Sequence, residues 1–124
     1  MSESGRTLRV LVVDDNIDAA DSMAALLEMM GHQARVLYAG DTVGQEVQAW
    51  QPDCVLLDIG LPGKDGYQVA RELRSQGSPI ELVALTGWGG QEDRRRTSEA
   101  GFSRHLTKPV EFSALESLLA DLAG

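Results

Sequence analysis

A single cysteine, Cys54, in 124 residues excludes any disulfide framework, and a reducing compartment suits such a chain. Cys54 stands inside an apolar run and reads as a small core residue rather than a reactive thiol. Basic side chains are also scarce: 11 Lys and Arg face 19 Asp and Glu, a formal charge of −8. That field repels phosphate backbones, so no nucleic-acid contact is expected, and a cationic partner suits it better. No stretch approaches the ~20 apolar residues of a membrane span. The polar opening Met1 to Thr7 has no apolar segment of a signal peptide, so the expected location is cytoplasmic, without membrane contact. Clusters of Cys and His with zinc spacing are missing, as are internal repeats, low-complexity tracts and an interdomain linker.

The remaining composition is ordinary, 43% apolar and 24% charged, and the length suits one domain with one core. Leu8 to Val13 (LRVLVV) is a β-branched apolar run that stops at Asp14 and Asp15, the pattern of a strand buried on both faces. Ile17, Ala20, Ala24 and Leu27 then recur at helical spacing, with Gly31 placed to end the helix. The alternation continues with a strand near Gln33 to Tyr38, a helix near Thr42 to Trp50 and a strand Cys54 to Leu57 ending at Asp58. After the Gly- and Pro-rich segment Gly60 to Gly66 come a helix near Tyr67 to Ser75 and a strand Ile80 to Leu85. A helix Gln91 to Ala100, a strand Ser103 to Leu106 and a last helix with Phe112, Leu115, Leu118, Leu119 and Leu122 on one side complete the chain. Five strand-helix pairs in strict alternation predict right-handed crossovers and a parallel α/β sheet covered on both faces. One domain is expected over residues 8–123, behind a polar extension 1–7. The helix Gln91 to Ala100 has almost no apolar stripe, so it is either a weakly docked element suited to a switch or a plain edge helix.

In an open parallel sheet the strands point one way, and the residues past their ends gather along one rim where ligands bind. That rim receives Asp14 and Asp15 from the first strand, Asp58 from the third, Thr86 from the fourth and Lys108 from the fifth. Three carboxylates against one ammonium leave excess negative charge in a partly enclosed place, which calls for a cation. A hard divalent ion with oxygen ligands fits, and Mg²⁺, which takes one or two carboxylates, waters and phosphate oxygens, fits better than an all-protein Ca²⁺ cage. Taken singly, these residues have plainer readings. Asp14 or Asp15 can cap the following helix, Asp58 can be a loop acid, and Thr86 and Lys108 can be turn or surface residues. Two consecutive acids after a buried strand are harder to account for, because one cap uses only one of them.

The segments VLVVDDN (Val10 to Asn16), LLDIGLPGKDGY (Leu56 to Tyr67), ALTGW (Ala84 to Trp88) and HLTKPV (His105 to Val110) resemble the receiver domain of two-component response regulators. The resemblance spans essentially the whole chain, and the last three segments are similar to receivers attached to hybrid histidine kinases. It implies a doubly wound, flavodoxin-like five-stranded parallel sheet of order 2-1-3-4-5 with five flanking helices. It also implies that Asp58 is the phosphoacceptor, that Asp14, Asp15 and Asp58 with the Gly60 carbonyl hold Mg²⁺, and that Lys108 neutralises the transferring oxygens. Thr86 is implied as the switch hydroxyl that draws the loop Gly87 to Gly90 inward, and a cis Lys108–Pro109 bond is implied to aim the lysine. The chemistry agrees, since a carboxylate attacks phosphorus to give an aspartyl phosphate.

Departures from the family pattern concern kinetics and output. His105 stands three before Lys108, where Tyr or Phe is usual, so it is either a pH-responsive coupling residue or a histidine without a role. Gly60 offers no side chain to orient water and Trp88 adds bulk beside Thr86, so slow self-dephosphorylation is expected. Arg94, Arg95 and Arg96 read as a solvated helix face rather than a partner site, and neither Trp50 nor Tyr67 receives a role.

The expected partners are a sensor histidine kinase or histidine phosphotransfer protein and a downstream protein effector, reached through the surface of the fourth helix, fifth strand and fifth helix. A dimer formed on phosphorylation is compatible with this set of partners. With no DNA-binding or catalytic segment following, output is expected to pass by protein contact unless the chain is a piece of a longer one. Two other classes stay in view: a Mg²⁺-dependent phosphohydrolase, for which the loops are short, and a binding module never phosphorylated, for which loss of an acid or the lysine is the usual sign.

Overall fold

The computed structural model describes residues 6–87 and 91–124, without the side chains of 91–93. The strands are β1 (Arg9–Val13), β2 (Gln33–Leu37), β3 (Cys54–Asp58), β4 (Glu81–Thr86) and β5 (Arg104–Thr107). They alternate with helices α1 (Ile17–Met29), α2 (Val43–Trp50), α3 (Gly66–Ser75), α4 (Gln91–Ala100) and α5 (Phe112–Ala123). All strand pairings are parallel and the order is β2-β1-β3-β4-β5, as expected.

Successive side chains on a strand point to opposite faces, and the buried β-branched runs use both. Leu11, Val13, Val55, Leu57, Leu82 and Ala84 meet α2, α3 and α4 through Val43, Val69, Ala70, Leu73 and Ala100. Val10, Val12, Leu56, Val83, Leu85 and Cys54 meet α1 and α5 through Ala20, Leu27, Leu115, Leu118 and Leu119. Cys54 is fully buried, which pushes its thiol up to about 12 and makes it core filler.

Three helices end alike. After α1, α3 and α4, Gly31, Gly77 and Gly101 take positive φ of 92°, 82° and 107°, where a side chain is strained. In each, the glycine N–H bonds back to Glu28, Arg74 or Ser98, and the next N–H to Leu27, Leu73 or Thr97, satisfying the last carbonyls. α3 starts with a capping box, Asp65 accepting from the Gln68 N–H while the Gln68 side chain accepts from the Asp65 N–H.

Two expected core residues are displaced. Ile17 is 56% exposed, and α1 grips the sheet through Ala20 and Leu27 with Met23, Leu26 and Met30 beside them. Phe112 is 50% exposed, because it stands at the edge of the stripe formed by Leu115, Leu118 and Leu119. α4 buries only Thr97 and Ala100 among its described side chains. No described helix is long and apolar enough to cross a membrane.

Candidate functional site

The rim at the ends of β1, β3, β4 and β5 is fixed by hydrogen bonds that extend the ladder just past the strands. The Asp14 N–H donates to Leu37 at 3.1 Å, the Ile59 N–H to Leu85 at 3.2 Å and the Lys108 N–H to Thr86 at 2.7 Å. These pin the backbone beside each polar side chain. The glycine that begins α3 brings the loop after β3 back onto the strand end: a Cβ on Gly66 would lie 2.6 Å from the Asp58 carbonyl oxygen and 2.6 Å from Ile59 Cα.

Asp14 and Asp58 are only 3% and 8% exposed, while Asp15 is open to solvent. Each buried acid spends one oxygen on a tight local turn: Asp14 Oδ1 accepts from the Asn16 N–H at 3.0 Å, and Asp58 Oδ1 from the Gly60 N–H at 2.8 Å. The other oxygen of each takes Lys108, whose Nζ lies 3.1 Å from Asp14 Oδ2 and 3.0 Å from Asp58 Oδ2. Burial opposes the lysine charge, but hydrogen bonds and charges from Asp58 and Asp14 outweigh it and raise its pKa above 10.5. The Lys108–Pro109 bond is cis. The capping question has an answer as well: the cap of α1 is Asn16, whose side chain accepts from the Ala19 N–H at 3.0 Å, so neither Asp14 nor Asp15 serves that end.

Asp14, Asp15 and Asp58 each bring a carboxylate oxygen within 4.8 Å of the other two. Opposite ligands of Mg²⁺ stand roughly 4.2 Å apart, so small side-chain rotations close this set on one ion. The donors are all hard oxygens and outnumber the positive charge beside them. The residues present therefore fit Mg²⁺.

Beside this cluster lies an open cleft whose lining includes Asp58, Gly60, Thr86 and Lys108 together with Tyr67 and Arg96. The five rim residues expected from sequence thus come together. His105 does not join them. Half-buried on β5, it pairs with Ala84 of β4, and burial together with the nearby charge of Arg94 lowers its pKa. Trp88, Gly89 and Gly90, expected beside Thr86, lie outside the described residues.

From sequence alone Tyr67 has no assigned role and Arg96 belongs to a solvated helix face. Tyr67 is 7% exposed, meets Phe102 edge-on at 6.5 Å, and carries the Arg96 guanidinium 4.4 Å from its ring centroid. The one signal for Tyr67 was its place directly after Gly66; for Arg96 there was none, because α4 has no apolar stripe to set its rotation.

Comparison with known proteins agrees with this geometry. The model of the response regulator receiver domain matches residues 10–120. The response regulator MprA of Mycobacterium ulcerans is 32% identical over 92% of the chain and 48% of its own length. The two-component response regulator PhoP of Pseudomonas aeruginosa is 30% identical over 90% of the chain and 50% of its own. The chain thus spans about half the length of these relatives. Among solved structures, the BeF3-activated receiver domain of Klebsiella pneumoniae RstA has a TM-score of 0.83 and 31% identity, over 90% of this chain and 94% of that one. The receiver domain of a Pseudomonas aeruginosa sensor histidine kinase, with magnesium in its active site cleft, has a TM-score of 0.84 and 28% identity over 94% and 98%. The acid cluster suits a phosphoacceptor site, and the family is one of signalling domains rather than classical enzymes. The chain belongs to the response regulator receiver domain family of two-component systems.

Proposed function

We propose that this chain is a phosphorylation-dependent switch in which Asp58 accepts a phosphoryl group from a phosphohistidine on a sensor kinase or histidine phosphotransfer protein. The observation that carries this is Lys108 Nζ held at 3.0 Å from Asp58 beside the acids at 14 and 15. One Asp58 carboxylate oxygen forms the new bond to phosphorus while the phosphorus–nitrogen bond breaks, and the imidazole leaves with the electron pair and takes a proton. Lys108 stays protonated through neutral pH and offsets charge on the transferring oxygens. The Gly60 N–H orients the Asp58 carboxylate.

Asp14, Asp15, Asp58 and the Gly60 carbonyl would hold Mg²⁺, which when bound would supply charge neutralisation for phosphoryl transfer. Thr86, buried in the cleft wall, is the hydroxyl that turns toward the bound phosphoryl group. The resulting population shift rearranges the surface of α4, β5 and α5, with His105 on β5 as a coupling residue, and a protein effector reads that surface. The setting is cytoplasmic. Loss of the phosphoryl group by self-hydrolysis is slow, because a side chain at Gly60 would begin 3.5 Å from Asp58 Oδ1, where a water could be oriented, and none is there.

Phosphoramidate, a small donor with a phosphorus–nitrogen bond, tests the reading. With Mg²⁺, ³¹P NMR is expected to show an acyl-phosphate signal on wild type, no such signal on Asp58→Asn, and formation slowed about 100-fold on Lys108→Ala. No signal on wild type, or equal signals on wild type and Asp58→Asn, refutes it.

A further inference from the structure

Arg96 is a charged residue of the cleft with no part in the phosphoryl-transfer step itself. Of the three consecutive arginines on α4, Arg94 lies where its charge acts on His105, whereas the Arg96 guanidinium turns back over the Tyr67 ring at 4.4 Å. There it forms part of the wall around Asp58, Thr86 and Lys108. The ion pairs among the described residues do not include Arg96, and its contact with the ring uses none of its N–H donors. Tyr67 is held by its own burial and by Phe102, so the ring is a fixed seat for a movable cation.

Phosphorylation changes the charge at this cleft. A phosphoryl group brings about −1.5 to −2 near neutrality. Added to Asp14 and Asp15 and set against a divalent ion and Lys108, it leaves roughly one negative charge unbalanced. An arginine fork suits that surplus, since its paired N–H groups match phosphoryl oxygens better than an ammonium does.

We infer that Arg96 is a second cationic ligand for the phosphoryl group on Asp58, exchanging the Tyr67 ring for the phosphoryl oxygens and thereby tying α4 to the phosphorylation state. This rests on Asp58 being the phosphoacceptor. Among its described side chains α4 buries only Thr97 and Ala100, so the helix follows its arginine at little cost.

Trifluoroberyllate with Mg²⁺, a stable phosphoryl mimic, separates the two claims when titrated by ¹⁹F NMR. Wild type is expected to bind it, Arg96→Ala about tenfold more weakly, and Arg96→Lys in between, because the charge is kept and the fork lost. In wild type the Arg96 side-chain NεH resonance is expected to shift on binding, a readout that does not depend on how any variant folds. Binding to wild type with an unmoved Arg96 signal, or equal affinity in Arg96→Ala, overturns the role of Arg96 and leaves Asp58 as acceptor. Absence of binding to wild type overturns both.

Discussion

Asp14 and Asp58 are buried acids that share one ammonium, and each is already oriented by a backbone N–H two residues on. Asp15 differs, being exposed and bonded to neither. Its proximity to the other two carboxylates is a repulsive cost without a cation and a binding contribution with one. Asp15→Asn should therefore leave the metal-free fold equally or slightly more stable while removing most of the stabilisation by Mg²⁺. A ligand bound only by the folded form adds about 2.7 kcal/mol at a hundredfold excess over its Kd. Thermal melting with and without Mg²⁺ reads this directly. A wild-type midpoint that Mg²⁺ leaves unchanged, or an Asp15→Asn midpoint raised as much as wild type, would contradict it.

At the scale of elements, the site depends on how the loop after β3 returns. Gly66 packs against the Asp58 and Ile59 backbone, which cannot move aside as a flexible side chain would. Gly66→Ala is expected to destabilise by about 1–3 kcal/mol, the range for overpacking, and to weaken Mg²⁺ binding because Asp58 shifts with its backbone. Urea unfolding checks the first effect, and a stability equal to wild type would show the loop free to adjust. The strands and their polar ends were legible in the sequence because each β-branched run stops abruptly at a polar residue, as at Val13 to Asp14 and Leu57 to Asp58. The cap of α1 was not, since Asp14, Asp15 and Asn16 are all good caps and only the chain path chooses among them. Helix rotation was legible where the stripe is long, and blurred at its edges, at Ile17 and Phe112. On α4, with hardly any stripe, nothing in the sequence singled out Arg96 from its neighbours.

For the molecule as a whole, the titrating groups define a pH window for stability. Burial holds His32 below its ordinary 6.5, and its Nδ1 accepts the Leu8 N–H at 3.0 Å, a bond that protonation removes. His105 is lowered too, by burial and then by Arg94. With folded pKa values depressed, this stability is complete above 6.5 and is lost as pH falls through the folded values. Lys108 is raised, so its contribution is complete below 10.5 and is lost as pH rises through its folded value. Urea midpoints are expected to fall between about pH 7.5 and about pH 5.5, and less steeply in His32→Asn, which keeps an acceptor without titrating. An identical slope in the variant would remove His32 from the account.

The central claim is that the carboxylate at 58 takes a covalent phosphoryl group with help from a divalent cation. Intact mass after incubation with a small acyl phosphate tests it most directly, for wild type with Mg²⁺, wild type with a chelator, and Asp58→Asn with Mg²⁺. One added phosphoryl on the first sample alone is the predicted result; none there, or the same addition on Asp58→Asn, contradicts it.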